Sequence, residues 1–190
     1  MEKWQGNLYN WYDIDTLGPL RPRYVSSVDS GNLAGALLLC ARSAEGELRC
    51  RMRSLAEKMR LDALYDWERK LFFIGMDAEH GSMSQNHYDL YASESRILSY
   101  AAMMLGQVPA EHWKHLGRPA ARAGRGQALL SWSGTMFEYL MPELFLPLVN
   151  GSMLWETGRF CLYAQRRPLH FVSQGYCGFE WRQFNMHQGI

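Results

Sequence analysis

The sequence lacks an excess of charge of either sign. Its 190 residues include 20 Lys and Arg against 19 Asp and Glu, which leaves a formal net charge of +1. A composition so close to neutral predicts neither a basic surface for nucleic acid nor an acidic surface for a basic partner. We therefore expect no nucleic-acid partner, and any other partner has to be predicted from local sites.

Patterns typical of metal sites are also missing. The four cysteines show no Cys-x-x-Cys spacing. His112 and His115 are three residues apart, but no acidic or cysteine partner recurs around them at metal-ligand spacing. We expect no metal and no other cofactor, and both histidines are interpreted as surface residues. Unpaired thiols favour a reducing compartment, so the predicted location is cytoplasmic.

Long hydrophobic runs and two common catalytic motifs are absent as well. No segment approaches the roughly 18 apolar residues of a membrane span, and the N-terminus has no targeting pattern. A soluble chain is therefore expected. There is no Gly-x-Ser-x-Gly motif, and residues 117–127 lack the Lys-Ser/Thr ending of a phosphate-binding loop. Those residues are predicted to form a flexible basic loop.

Aromatic residues are plentiful, in contrast. The seven Trp, ten Tyr and eight Phe often stand beside Asn, Asp, Gly or Ser. Sugar-binding clefts use this mixture, because aromatic faces cover the C–H faces of pyranose rings while short polar side chains bond the hydroxyls. The ordinary alternative is that the aromatic residues fill a core.

Helical spacing dominates the chain. A short helix and an extended loop are predicted within residues 4–28, and a strand or hairpin near residues 71–74. Further helices are predicted over residues 30–42, 48–60, 87–105, 110–116, 131–141 and 152–166. Residues 168–190 are irregular and rich in aromatics. The prediction is one mostly α-helical domain over residues 1–190 with a minor β-hairpin element.

One carboxylate stands out within the predicted helix 87–105. Glu94 falls on an apolar stripe that also contains Leu90, Ile97, Ala101 and Met104. An inward carboxylate loses hydration, which raises its pKa towards the value that a general acid needs. The alternative is a buried glutamate satisfied by an arginine or by backbone donors.

Other polar residues allow two interpretations each. Asp29 could bond a sugar hydroxyl or cap the helix that follows it. Glu138 lies three residues after Thr135, which is the capping-box spacing. Asp13 and Asp89 could be hydroxyl acceptors or helix-start residues. Five aromatics are candidates for a cleft or for the core: Trp11, Tyr12, Tyr88, Tyr91 and Trp132.

Five sequence blocks follow one another along the chain, at residues 10–13, 23–35, 88–96, 112–118 and 131–142. Together they resemble the glycoamylase-like domain of cyclic β-1,2-glucan synthases. The resemblance implies an (α/α)6 toroid of alternating inner and outer helices. A full toroid needs about twice this length, so the fold expected here is a partial toroid, about half of one. Unclosed helices would expose apolar surface, which predicts self-association.

The resemblance also implies a function. It indicates a domain that acts on β-1,2-glucan or a related glucan by glycosyl transfer or hydrolysis, in which Glu94 matches a catalytic carboxylate. The residues expected around the sugar are Trp11, Tyr12, Asp13, Asp29, Tyr88, Asp89, Trp132 and Glu138. The implied partners are the remaining domains of a larger, inner-membrane-associated synthase.

One family block is disturbed in this sequence. Where a Trp-Gly-Ile-Ser-Glu-Ser block with the second carboxylate should fall, residues 170–176 contain neither glutamate nor tryptophan. Glycosidases use two carboxylates that flank the scissile bond, so weak or absent activity is expected. The alternatives are a non-catalytic carbohydrate-binding or structural remnant and a small helical interaction protein.

Overall fold

The computed structural model describes residues 1–123 and 126–165. Its contacts divide the chain into two compact units, and each is described by itself. The first unit comprises residues 1–89 and 95–117, and the second comprises residues 90–94 and the chain from residue 118 onwards. The single domain predicted for residues 1–190 stays a prediction. The irregular segment predicted for residues 168–190 lies outside the described residues.

The first unit is built around one long helix. Helix α1 (Ser27–Ser43) packs against α2 (Gly46–Lys58) and α3 (Arg96–Met104). Its N-cap is Ser26, whose Oγ accepts a hydrogen bond from the Asp29 N–H at 3.2 Å. A serine at this position satisfies a backbone donor that the helix itself cannot pair. A 3₁₀ turn (Leu61–Leu64) and the short helix α4 (His112–His115) complete the helical part.

Two small antiparallel sheets accompany these helices. In the first sheet, β4 (Gly75–Asp77) lies between β1 (Tyr24–Ser26) and β5 (Ser82–Met83), with Val25 opposite Met76. In the second sheet, β3 (Leu71–Phe73) lies between β2 (Tyr65–Asp66) and β6 (His87–Tyr88), with Phe72 opposite Tyr88. The predicted strand or hairpin near residues 71–74 is thus confirmed.

The core of the first unit joins the helices to both sheets. Val25, Leu64, Phe72 and Leu98 are buried in one hydrophobic cluster. Gly31 of α1 faces Leu98 of α3 so closely that a Cβ at Gly31 would overlap the Cα and Cβ atoms of Leu98. The missing side chain at Gly31 is therefore what lets the two helices approach.

A glutamine ties the end of α2 to the chain after α3. Gln107 Oε1 accepts hydrogen bonds from the Leu61 N–H at 2.8 Å and the Asp62 N–H at 3.4 Å. Its Nε2 donates to the Met59 carbonyl at 2.7 Å. One side chain therefore satisfies backbone groups where α2 stops and the 3₁₀ turn begins.

The second unit contains a hairpin and two α-helices among its described residues. Strands β7 (Ala120–Ala123) and β8 (Gly126–Leu129) pair antiparallel, and they are followed by α5 (Met136–Leu140) and α6 (Met153–Gln165). The Leu129 N–H donates to Thr157 Oγ1 at 3.0 Å, which links β8 to α6. The buried core consists of Ala92, Leu129, Tyr139, Leu154 and Cys161.

The prediction of a mostly α-helical, partial (α/α)6 toroid is wrong. Across the described residues, six α-helices accompany three antiparallel sheets, and the fold is mixed α and β. A toroid needs helices that alternate along the whole chain, whereas residues 65–88 here form a succession of short strands. Within the same described part, no helix is both long and apolar enough to cross a bilayer.

Three local predictions are also wrong. Residues 4–26 form turns, isolated bridges and β1, so the short helix predicted before α1 is not formed there. Residues 87–95 include β6 and a loop, so α3 starts only at Arg96. Residues 120–123 and 126–129 form a hairpin where a flexible loop was predicted. The helices predicted over 30–42, 48–60, 110–116 and 152–166 are confirmed with shifted ends.

Candidate functional site

The loop of residues 10–13 is fixed to the start of α1. The Asn10 N–H donates to the Tyr24 carbonyl at 2.9 Å, and Asn10 Oδ1 accepts from the Ser26 N–H at 3.1 Å. Asn10 thereby joins the loop to the N-cap residue of α1. Trp11 follows in the same loop with 48% of its surface exposed, so its ring remains accessible to a ligand.

Tyr12 is less exposed than Trp11 and contacts the N-terminal segment. Its hydroxyl donates to the Glu2 carbonyl at 2.6 Å and accepts from the Tyr9 N–H at 3.0 Å. The ring is partly buried against the core of the first unit, with its centroid 6.2 Å from that of Tyr9. These contacts hold the N-terminal segment against the loop. A role for Tyr12 in sugar binding stays a prediction.

Asp13 organises the turn after this loop. Its Oδ1 accepts hydrogen bonds from the N–H groups of Asp15 and Thr16, at 3.1 and 2.7 Å, and from the Thr16 hydroxyl at 2.8 Å. The backbone N–H and then the hydroxyl of Thr16 lower the pKa of Asp13. Asp13 is therefore a carboxylate at neutral pH, and its Oδ1 atom stabilises an Asx-type turn.

Asp29 lies in the first turn of α1 and is exposed. The interpretation of Asp29 as the cap of this helix is wrong, because Ser26 is the cap. Asp29 instead places a negative charge near the helix N-terminus, where the macrodipole favours it. Its side chain faces solvent, and its contact with a sugar hydroxyl stays a prediction.

Asp89, which follows Tyr88, connects two of the sequence blocks through its backbone within the first unit. Tyr88 ends β6 and is partly buried, whereas Asp89 is exposed. The Asp89 carbonyl accepts a hydrogen bond from the Gly117 N–H at 2.6 Å. The blocks of residues 88–96 and 112–118 therefore meet through the backbone at this point.

Glu94 belongs to the second unit and precedes α3 in the sequence. The predicted apolar stripe is wrong, because Leu90 and Glu94 are not helical and Met104 is 64% exposed. Nevertheless, the side chain of Glu94 is half-buried, and its Oε2 atom is shielded from solvent. Ala92, two residues earlier, is buried in the core of the second unit and anchors this segment.

Glu138 is buried within a ring of donors. The capping box predicted for Thr135 and Glu138 is confirmed by reciprocal hydrogen bonds at the start of α5. Glu138 Oε2 also accepts from the hydroxyls of Ser131 at 2.9 Å and Ser133 at 2.5 Å, and from the Ser133 N–H at 3.0 Å. Trp132 lies between the two serines and is 51% exposed. Glu138 thus shapes the loop that presents Trp132.

Some features of this region were not predicted from the sequence. The Arg118 guanidinium lies 4.4 Å from the centre of the half-buried Tyr91 ring, a cation–π distance. The serines at 131 and 133 complete the donor ring around Glu138. Their alternation about Trp132 was the available signal, since short hydroxyl residues before a helix commonly bond its first turn.

The predicted site residues fall into two groups. Trp11, Tyr12, Asp13, Asp29, Tyr88 and Asp89 lie in the first unit, and Glu94, Trp132 and Glu138 lie in the second. Hydrogen bonds of Asn10 connect residues 10–13 with the start of the helix that carries Asp29. In the described part of the chain, no group of His, Cys, Asp and Glu side chains is arranged to hold a metal ion.

Comparison with known proteins relates the chain to a glucan synthase. Over 118 residues, 62% of its length, it is 41% identical to "Cyclic beta-(1,2)-glucan synthase NdvB" of Rhizobium meliloti (strain 1021). The matched region covers 4% of that protein, so the chain corresponds to a small part of it. No family model matches the chain. A relation to this synthase is confirmed, whereas the assignment of the chain to a glycoamylase-like domain stays a prediction.

Proposed function

We propose that the chain takes part in β-1,2-glucan synthesis as a segment of a larger synthase, acting on the glucan by glycosyl transfer or hydrolysis. The observation that carries the proposal is the 41% identity over 118 residues to a cyclic β-1,2-glucan synthase. Two exposed tryptophans, Trp11 and Trp132, and the half-buried carboxylate of Glu94 support an action on a sugar chain.

Glu94 is the residue to which we assign proton transfer. A general acid must hold its proton near neutral pH and reach the leaving glycosidic oxygen. The half-buried side chain of Glu94, with Oε2 shielded and the preceding segment anchored by Ala92, suits such a role. A fixed backbone also limits the number of orientations that the carboxyl group can adopt.

Two exposed tryptophans are the proposed sugar platforms. Trp11 and Trp132 each stand in a loop that hydrogen bonds hold in place, through Asn10 in one case and through Glu138 in the other. An exposed indole face can cover the C–H groups of a pyranose ring. Each platform is proposed within its own unit.

Incubation with linear β-1,2-glucan tests the proposal. Released glucose and cyclic products are measured by chromatography and mass spectrometry for the wild type, Glu94→Gln and Glu68→Gln. We expect Glu94→Gln to lower the rate about 100-fold or more, the contribution of a positioned general acid. Glu68 is an exposed residue of the turn between β2 and β3, so its substitution should leave the rate unchanged. Equal rates for the wild type and Glu94→Gln would remove Glu94 from the mechanism.

A second function, glucan binding without catalysis, is favoured by one observation. Residues 170–176 lack the glutamate expected in the disturbed family block, and a single carboxylate does not provide the usual pair. This function predicts that β-1,2-glucan changes the tryptophan fluorescence of the wild type while no product forms. Absence of both binding and turnover would contradict both functions.

A further inference from the structure

A basic groove is present in the first unit, and none of the predicted site residues lines it. Its volume is about 400 Å³. It is lined by Leu38, Ala41, Arg42, Arg49, Arg53 and Met104, from helices α1, α2 and α3. We propose that this groove binds a soluble organic phosphate, with the arginines holding the phosphate and the apolar side chains contacting the rest of the ligand.

The backbone holds one of the three guanidinium groups in a defined orientation. Arg49 Nε donates to the Ala44 carbonyl at 2.8 Å, and Arg49 Nη2 donates to the Arg42 carbonyl at 3.5 Å. These bonds use two of the five N–H donors of the guanidinium and leave the others for a ligand. An arginine that is already oriented loses less side-chain entropy when it binds an anion.

Arg53, the other arginine of α2 that lines the groove, lies on the same helical face as Arg49. Arg49 and Arg53 are four residues apart, which places them one turn apart along the helix. Arg53 is paired with Glu57 at 3.6 Å, but both side chains are more than half exposed. An exposed ion pair of this kind contributes little free energy, so Glu57 competes only weakly with a ligand phosphate for Arg53.

Helix capping explains only part of this cluster of positive charge. Arg42 lies in the last turn of α1 and Arg49 bonds its final carbonyls, so both complement the negative end of that helix dipole. Arg53 lies a further turn along α2, beyond this short-range effect. Among the described residues that line the groove, none carries a negative charge. An anionic ligand would relieve the repulsion between the three guanidinium groups.

The lining residues also indicate the type of anion. Guanidinium groups match phosphate oxygens with paired hydrogen bonds. Leu38, Ala41 and Met104 give the groove an apolar part that inorganic phosphate would leave uncovered. The volume lies within the range of small-molecule sites. Together these features favour a phosphate ester with an apolar group. A neutral glucan offers no charge here, so this site and the proposed glucan function are independent.

Titration with 1-naphthyl phosphate tests the site, with binding measured by calorimetry. We expect binding that weakens roughly tenfold in Arg42→Gln and in Arg53→Gln, as the loss of a charge-assisted contact predicts. Arg51→Gln is the matched control, because Arg51 is an exposed arginine of α2 that does not line the groove. Inorganic phosphate should bind more weakly than the ester, and 1-naphthol should not bind.

Two results would overturn the proposal. One is the absence of binding up to roughly 1 mM ester, the weak limit for a small-molecule site. The other is an equal loss of affinity in Arg51→Gln, which would indicate attraction by diffuse surface charge. Far-UV circular dichroism checks that each variant is folded. Because no glucan is present in the assay, either result leaves the glucan proposal unaffected.

Discussion

At the scale of single residues, His112 shows how one polar side chain can be fully satisfied inside a core. Its Nδ1 lies 2.8 Å from the Lys70 carbonyl and its Nε2 lies 2.8 Å from Ser99 Oγ. A carbonyl can only accept, so Nδ1 carries the proton and the Ser99 hydroxyl donates to Nε2. The rings of Tyr65 and Phe72 pack against the imidazole in T-shaped arrangements. The prediction that His112 is a surface residue is therefore wrong.

This position makes stability depend on pH. Burial lowers the pKa of His112 below its ordinary value of 6.5. Between the lowered folded pKa and 6.5 His112 binds more protons in the unfolded chain, so its contribution to the free energy of unfolding falls as pH decreases through that window and is constant above it. The slope is at most about 1.4 kcal/mol per pH unit for one proton. Urea denaturation from pH 7.5 to pH 5, roughly one unit or more on each side of the ordinary pKa, measures it.

Two variants separate this slope from other titrations. His112→Leu should lose the slope, although it should also be less stable at every pH. His80 provides the control, because its hydrogen bond with Asp77 raises its pKa. Its contribution has the opposite sign: it is present below pH 6.5 and is lost as pH rises through the folded pKa. In His80→Gln, the fall in the free energy of unfolding that His112 causes below pH 6.5 should therefore remain. An unchanged slope in His112→Leu would contradict the assignment.

The same scale explains which side-chain contacts could be predicted from the sequence. The capping box of Thr135 and Glu138 could be predicted, because its partners are three residues apart and the interaction is local. Burial of His112 could not, because its partners Lys70 and Ser99 are 42 and 13 residues away. Spacing along the chain carries no information about such contacts.

At the scale of secondary-structure elements, the contact between α1 and α3 should be sensitive to a single methyl group. Alanine is about 1 kcal/mol better than glycine within a helix, but a Cβ at Gly31 would overlap backbone and side-chain atoms of Leu98. We expect Gly31→Ala to lower the free energy of unfolding by about 1–3 kcal/mol, as overpacking does. Denaturant unfolding followed by circular dichroism measures this change.

Gly158 of α6 is a matched control for this substitution. A Cβ there would lie 3.2 Å from Glu143 Oε1 and 3.6 Å from Leu140 Cδ2, which are ends of flexible side chains. Small movements can relieve those contacts, so Gly158→Ala should be neutral or stabilising by up to about 1 kcal/mol. If the two substitutions had equal effects, the close approach of α1 and α3 would not be responsible.

Helices were easier to predict than the strands and loops around them. The apolar spacing of α1, α2 and α6 is strong enough to indicate each helix from the sequence alone. The apolar residues among residues 88–95 have a helix-like spacing although this segment is not helical. Ala92 and Ser93 are buried there as part of a loop. The paired strands at residues 120–123 and 126–129 contain four Ala and one Gly, which do not favour strands. Their pairing depends on packing against α6, which the local sequence does not contain.

At the scale of the whole molecule, cysteine reactivity distinguishes the two units. Cys40 and Cys50 are exposed thiols of the first unit, whereas Cys161 is buried in the core of the second. Burial raises the pKa of Cys161 to about 11, so little thiolate forms at neutral pH. We expect iodoacetamide to modify Cys40 and Cys50 in the native protein and to modify Cys161 only when the second unit opens. Peptide mass mapping over a urea series measures each site separately.

The dependence of Cys161 on urea tests how the units unfold. Modification at a lower urea concentration than the loss of α1–α3 helicity would indicate that the second unit opens by itself. Coincident transitions would indicate one cooperative unit. Rapid modification of Cys161 without urea would contradict its burial.

Self-association stays a prediction, and exposed apolar side chains of α1 and α2, among them Leu39, Leu48 and Leu55, are consistent with it.

The side chain of Gln107 has a consequence for the order of folding. It bonds backbone groups of residues 59, 61 and 62, which are at least 45 positions earlier in the chain. Gln107 can bond those groups only after α3 has docked. The C-terminal end of α2 therefore cannot form completely during early, local helix formation. Loop closure over this distance must come first. The boundary of α2 should therefore form late, together with the tertiary structure of its unit.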